Sequence, residues 1–300
     1  MKRSTAIVTV DRHASTPELV TPNVSGANSD AQLVDVWIAT KASPHTRSAY
    51  RSDASRFVAF LAGKPLGAVS VADLQAFADG LAGAAASRAR TVGAIKGLLA
   101  FGLATGYLRF DVGRAVKAPK IKDTLAARIL DEAEVLRMLD AAHHGRDATL
   151  LRLLYASGLR VSEAVNLSWS DAQPRLDAGA ITTLGKGGKT RTILLSARAW
   201  AELVAMRGEQ PDDAPVFVSR TGRRLDRSAI LRIVKATAKR ARIKRTVSPH
   251  SMRHAHASHS LDRGAPIHVV QATLGHASLA TTSRYTHAKP NDSSGRYLSA

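Results

Sequence analysis

Apolar residues recur at helical spacing through most of the chain, and the places where that period breaks divide it. Residues 1–29 hold no sustained period and are rich in Ser, Thr, Pro and Asn, which predicts a flexible N-terminal tail. From Asp30 the helical pattern sets in. In "HTRSAYRSDASRFVAFLA" the stripe Tyr50, Ala54, Phe57, Val58 and Leu61 marks a core face. Ser43 caps this helix, Pro44 fits its first turn, and Arg47 and Arg51 fall elsewhere on its surface. "SVADLQAFADGLA" opens with Ser70 three residues before Asp73, a reciprocal capping pattern, and "SRARTVGAIKGLLAFGLATG" predicts a helix closing at Gly106. These elements predict a small four-helix domain over residues 30–118.

The pattern then lapses. "VKAPKIKD", residues 116–123, combines proline with charge and no apolar stripe, so a linker is expected at 119–130. A second domain, 131–288, opens with Asp131 as cap and Glu134 at the reciprocal position, and a polar tail, 289–300, ends the chain. Helical patterns dominate this domain except at 180–196, where β-branched and apolar runs flank "GKGGK". That segment imitates a phosphate-binding nucleotide loop. The first glycine such a loop needs is Thr183, however, and "RTILLS" reads as a strand where a helix would have to begin. A hairpin tipped by Lys186 and Lys189 is the better reading. The fold class is mainly α with a small β-hairpin.

Charge changes the picture more than length does. The formal net charge is +19, and the 68 residues from Lys186 to Arg253 hold 17 Lys/Arg against 5 Asp/Glu, a dense surface for a polyanion such as nucleic acid. No apolar run is long enough to span a bilayer, and "AIVTV" is too short for a signal sequence, so no membrane partner is expected. The absence of cysteine removes disulfides, thiolate catalysis and cysteine-bound zinc.

Four segments of the second domain carry chemistry. "YASGLRVSEAV" sets Arg160 at a helix entrance, with Glu163 three residues on and able to hold its guanidinium. The hairpin tip offers Lys186 and Lys189. "VSPHSMRHAHASH" places His250 and Arg253 on one helix face near its N-terminus, where an anion is already favoured. "LGHASLATTSRYTH" adds His276 and Tyr285. The histidines also offer metal-ligand spacings, but the carboxylate of H-E-x-x-H is missing and no acidic cluster would hold magnesium, so no metal and no cofactor are expected. Two arginines, two histidines, a lysine and a tyrosine suit metal-free phosphoryl transfer.

The ordered set "GLRVSE", "GKGGK", "PHSMRHAHASH" and "LGHASLATTSRYTH", with gaps of 26, 64, 3, 23 and 9 residues, resembles the tyrosine recombinase (phage integrase) family, most closely its Xer-like members. The resemblance implies a helical core-binding (SAM-like) domain followed by an α-helical catalytic domain, together forming a C-shaped clamp on double-stranded DNA. It implies that Tyr285 attacks the scissile phosphate to form a 3′-phosphotyrosine, and that Arg160, Arg253 and His276 bind that phosphate. It further implies that His250 assists activation of Tyr285 and Lys186 protonates the leaving 5′-oxygen, with Glu163 in support. Arg47, Arg51, Lys189 and Arg191 are assigned to DNA contacts. Also implied are a homotetramer on paired sites, room for a second recombinase or accessory protein, and a cytoplasmic, nucleoid-associated location. The segment before the bundle is short for a separate arm-binding domain, and only 15 residues follow Tyr285, so exchange of a C-terminal helix between protomers stays open. The rivals are a non-catalytic DNA-binding protein and a type IB topoisomerase.

Overall fold

The computed structural model describes residues 22–119, 124–143, 145–185, 188 and 190–286. The chain divides into two compact units, Met1–Lys122 and Asp123–Ala300.

The first unit is built on helices α1 (Asp30–Ala39), α2 (Pro44–Phe60), α3 (Val71–Gly80) and α4 (Ala85–Ala104). The first three starts have local causes, whereas α4 opens on Ala84 without a side-chain cap. The Ser29 side chain accepts from the Gln32 N–H, Pro44 occupies the first turn of α2, and Ser70 and Asp73 close a reciprocal box on α3. Leu33, Trp37, Phe57, Leu74, Ile95 and Leu98 are fully buried between the helices. Asp53 is buried among them and is satisfied by both arms of Arg90, at 2.5 and 3.0 Å, and by the Thr91 hydroxyl at 3.0 Å, which ties α2 to α4. Two expectations need correction. Val58 is exposed, because the buried stripe of α2 runs through Ala54 and Phe57 and on to Leu61. Residues 22–29 are not free tail: the Val24 N–H donates to the Thr105 carbonyl and Ala27 is buried, while residues 1–21 lie outside the described residues.

The second unit begins earlier than the linker reading allows. Helix α5 (Leu125–Arg128) buries Leu125, and Ile129 and Leu130 follow it into the interior; within the expected linker 119–130, residues 120–123 lie outside the described residues. Then come α6 (Glu132–Asp140), opened by the Asp131–Glu134 box, α7 (Arg146–Ser157) and α8 (Val161–Asn166). Next is a three-stranded antiparallel sheet in the order β1 (Ala172–Arg175), β2 (Ala178–Leu184) and β3 (Thr190–Leu195). The β2–β3 hairpin is the expected one, and Leu184 pairs with Thr190 at its end. β1 extends the sheet beyond that expectation. "AQPR" has no apolar alternation, and pairing to β2, from Ala172 opposite Ile181 to Arg175 opposite Ala178, makes it a strand. Helices α9 (Ala197–Arg207), α10 (Arg227–Arg240), α11 (Pro249–Asp262), α12 (Ile267–Leu274) and α13 (Leu279–Ser283) complete the unit. Its core joins Leu150, Leu151 and Leu154 of α7 to Ile181 and Ile193 of the sheet and Met252 of α11. Among the described residues, no helix is long and apolar enough to cross a membrane.

Candidate active site

Three helix boundaries bring the candidate side chains together. Gly158 ends α7 in the left-handed region at φ 60°, and there a Cβ would lie 2.7 Å from the His256 ring, so both the backbone and the packing require glycine. The turn it makes presents Arg160 as the N-cap of α8. The Arg160 N–H donates to Glu163 Oε2 at 2.7 Å, and its guanidinium donates to Glu163 Oε1 at 2.9 Å and to the Gly275 carbonyl at 3.2 Å. Glu163 is buried. Burial alone would raise its pKa, but hydrogen bonds from Arg191 and from the backbone and side chain of Arg160 outweigh that and hold the carboxyl below its ordinary value.

Arg191 requires a correction. Assigned to DNA contact, it instead points inward from β3. Its guanidinium grips Glu163 with two bonds, of 2.9 and 2.8 Å, and its Nε donates to the Thr273 carbonyl at 2.8 Å. Three of its five N–H groups thus hold β3, α8 and the end of α12 in register. Lys186 and Lys189 lie outside the described residues.

α11 supplies the next group. Ser248 precedes it, its N–H donating to the Ser251 hydroxyl at 3.1 Å, and Pro249 fills the first turn. One turn in, Arg253 is buried and donates to the carbonyls of Gly158 and, at 2.6 Å, Leu274. Burial first, and Arg160 second, bring its pKa down to about 10, which still leaves it charged at neutral pH. Two guanidiniums are thereby fixed close together by one carboxylate and several carbonyls. Such a pair, raised in energy by mutual repulsion, is poised for a dianionic oxygen cluster.

The remaining groups follow α12. Gly275 ends that helix at φ 61°, and His276 comes next, its Nδ1 hydrogen-bonded at 2.9 Å to the hydroxyl of the fully buried Thr282. With Nδ1 so engaged, Nε2 is the nitrogen left for a ligand. The ring lies parallel to that of Tyr285, with centroids 6.4 Å apart. Burial, then Arg253 and Arg160, lower the His276 pKa to about 4.

Tyr285 follows α13 and is buried against Leu125, Ile129, Ala257, Val270 and Leu274. Burial raises its phenol above the ordinary value, and Arg253 and Arg284 oppose that rise. Its hydroxyl is hydrogen-bonded to Nδ1 of His254 at 2.7 Å. His250, the residue expected to assist Tyr285, is exposed on the first turn of α11, with its ring centroid 6.4 Å from that of His254. The imidazole bonded to Tyr285 is therefore that of His254, one of the histidines whose spacing resembles a metal-ligand set. His250 and His254 are four residues apart on one helix face, so spacing alone could not choose between them. Among the described residues, no group of three or more potential metal ligands is assembled.

Fold and cluster together define a two-unit helical protein whose second unit gathers guanidinium, imidazole and phenol groups suited to a phosphate. Residues 128–292 match the Phage integrase family, and residues 32–106 match the Phage integrase, N-terminal SAM-like domain. The chain is 34% identical to Tyrosine recombinase XerD of Bifidobacterium longum, covering 89% of this chain and 94% of that protein. It is 35% identical to the XerD of Pseudomonas aeruginosa, over 86% and 91%. A lambda integrase dimer bound to a COC′ core site shares the fold, with a TM-score of 0.72 and 19% identity over 88% of this chain and 97% of that one. XerH bound to palindromic difH substrate does so with a TM-score of 0.70 and 21% identity, over 88% and 83%. The chain belongs to the phage integrase family of tyrosine recombinases, enzymes that cleave and rejoin DNA through a phosphotyrosine intermediate.

Proposed function

We propose that the protein recombines DNA at a specific site with Tyr285 as nucleophile. The observation that carries this is the location of the Tyr285 hydroxyl, bonded to one imidazole and beside another, in the cluster that also holds Arg160 and Arg253. The Tyr285 Oη attacks the scissile phosphorus, a 3′-phosphotyrosine forms, and the P–O5′ bond breaks to leave a 5′-hydroxyl. Arg160 and Arg253 take the non-bridging oxygens and stabilise the charge that grows on them in the pentacoordinate transition state. His276 donates to the same oxygens through Nε2. Lys186 delivers the proton to the leaving 5′-oxygen. The tyrosyl ester retains the energy of the broken bond, so a 5′-hydroxyl from a second strand reseals it without a nucleotide triphosphate.

The partner is double-stranded DNA, bound by both units, and the working assembly is a homotetramer on two paired sites. Lambda integrase, of the same fold, occurs as a tetramer bound to a Holliday junction. Arg47 and Arg51 of α2 supply phosphate contacts. Both are exposed, and among the described residues Arg51 is held by an exposed ion pair with Asp35 that a phosphate can replace at little cost.

The test finds the target sequence as it runs. Wild type and Tyr285→Phe are incubated with nicked, sheared genomic DNA of the source organism, denatured, and the DNA that stays attached to protein is sequenced. Attachment by wild type alone, at one motif and through a 3′-phosphate, is the expected result. No attachment, or equal attachment by both proteins, would leave a DNA-binding protein without covalent chemistry.

A further inference from the structure

The base nearest the nucleophile takes no part in the steps so far assigned. His254 Nδ1 lies 2.7 Å from the Tyr285 hydroxyl, a distance at which a proton can pass between them without rearrangement. Among the described residues the His250 side chain makes no hydrogen bond, and it sits a helical turn nearer the start of α11. Tyr285 packs against the apolar side chains of Leu125, Ile129 and Leu274 and against the His276 ring, and His254 is the imidazole that its hydroxyl meets.

Resting on the reading of Tyr285 as nucleophile, we propose that His254 is a catalytic residue that orients the Tyr285 hydroxyl and takes its proton as the phenol attacks. The O–H bond breaks and an Nδ1–H bond forms on His254, while Oη–P forms and P–O5′ breaks. On resealing, the incoming 5′-hydroxyl gives its proton to Lys186 as P–O5′ forms, the Oη–P bond breaks, and the tyrosyl oxygen recovers the proton from Nδ1.

Electrostatics fit this role in both states. In the free protein, burial first, then His250, Arg128, Arg253 and Arg284, bring His254 down to about 4, so at neutral pH its imidazole is uncharged and free to accept. Arg128 comes from α5, His250 and Arg253 from α11 itself, and Arg284 from the turn after α13. When a phosphodiester lies on Arg253, its negative charge offsets that guanidinium's and a protonated His254 becomes easier to form. The base is thus strengthened by the substrate it serves.

The experiment uses full-length wild type, His254→Ala, His254→Asn and Tyr285→Phe on nicked DNA carrying the recovered target motif. It follows the single-turnover rate of covalent complex formation between about pH 6 and about pH 9. Asparagine can keep an acceptor near the position of Nδ1 but cannot take a proton. Both His254 variants are expected to be slower by about 10²-fold or more at neutral pH, with unchanged DNA affinity. Their rates should climb about tenfold per pH unit as the phenol ionises unaided, while the wild type stays nearly flat. In the DNA-free protein, the ¹⁵N resonance of His254 Nδ1 should move in Tyr285→Phe and that of His250 should not. A wild-type rate in His254→Ala overturns the inference alone, and rescue by His254→Asn reduces His254 to orientation and overturns the proton transfer. If the wild type forms no complex, the recombinase reading falls and takes this inference with it.

Discussion

Glu163 is the buried carboxylate on which two guanidiniums depend. Its two oxygens receive four N–H groups, three from guanidiniums and one from the Arg160 backbone. Glu163→Gln keeps the shape and removes the charge, leaving Arg160, Arg191 and Arg253 facing one another. Breaking a buried pair costs about 3–5 kcal/mol; because Arg160 is partly exposed, a loss near about 3 kcal/mol is expected, read as a fall in the urea midpoint. The histidines give a second residue-scale prediction. His256 and His276 are both held down to about 4, burial being the first cause in each, so the folded protein keeps them neutral. An unfolded histidine titrates near about 6.5, so below that value the unfolded chain takes up protons that the folded one refuses. Stability is complete above about pH 6.5 and is lost as pH falls toward about 4, so the thermal midpoint should drop through that window. A flat profile would show that these imidazoles are freely solvated. At this scale the sequence shows which residue types assemble and does not show their pairings. Arg191 could not be recognised as structural, since Glu163 lies 28 positions away, and His254 could not be separated from His250 on their shared face.

At the scale of elements, Gly158 governs more than one. It stops α7, aims Arg160 into the site, and offers its carbonyl to Arg253. Gly158→Ala forces an L side chain into the left-handed region and against the His256 ring at 2.7 Å, at a combined cost of about 1–3 kcal/mol. Because the same turn sets both guanidiniums, covalent complex formation should fall further than the lost stability explains, which thermal unfolding and single-turnover cleavage together would reveal. Equal losses in the two would mean that the turn merely packs. Helices with apolar stripes and capping residues were legible because both signals are local: the Ser70–Asp73 and Asp131–Glu134 boxes sit where the side chains predict. β1 was not legible, since its strand character comes from pairing with β2. The segment after residue 123 misled for a related reason. Four residues of helix are too few to display a period, and Leu125 and Ile129 reveal themselves only by packing under α11 and α12.

For the whole molecule, the net charge of +19 sets how DNA binding responds to salt. Each phosphate neutralised releases condensed counterions, so log affinity falls linearly with log salt, and 6–10 contacts would cost about 10³–10⁵ in affinity between about 50 and about 200 mM. Formal charge overstates the contacts available, because the structure shows which arginines are already committed. Arg191 is taken up by Glu163 and the Thr273 carbonyl, and Arg90 by Asp53, whereas Arg47 and Arg51 stand exposed on α2. Arg47→Ala and Arg51→Ala should therefore each reduce the salt slope by about 1, without altering the fold. Arg191→Ala should leave the slope unchanged while lowering the thermal midpoint, since it strips Glu163 of a partner and contributes no phosphate contact. Tyr285→Phe should leave the slope unchanged, because a phenol displaces no counterion. Fluorescence anisotropy on a short duplex across a salt series separates these cases. A reduced slope in Arg191→Ala would mean that its guanidinium leaves Glu163 for the DNA on binding, and that Arg160 then has that carboxylate to itself.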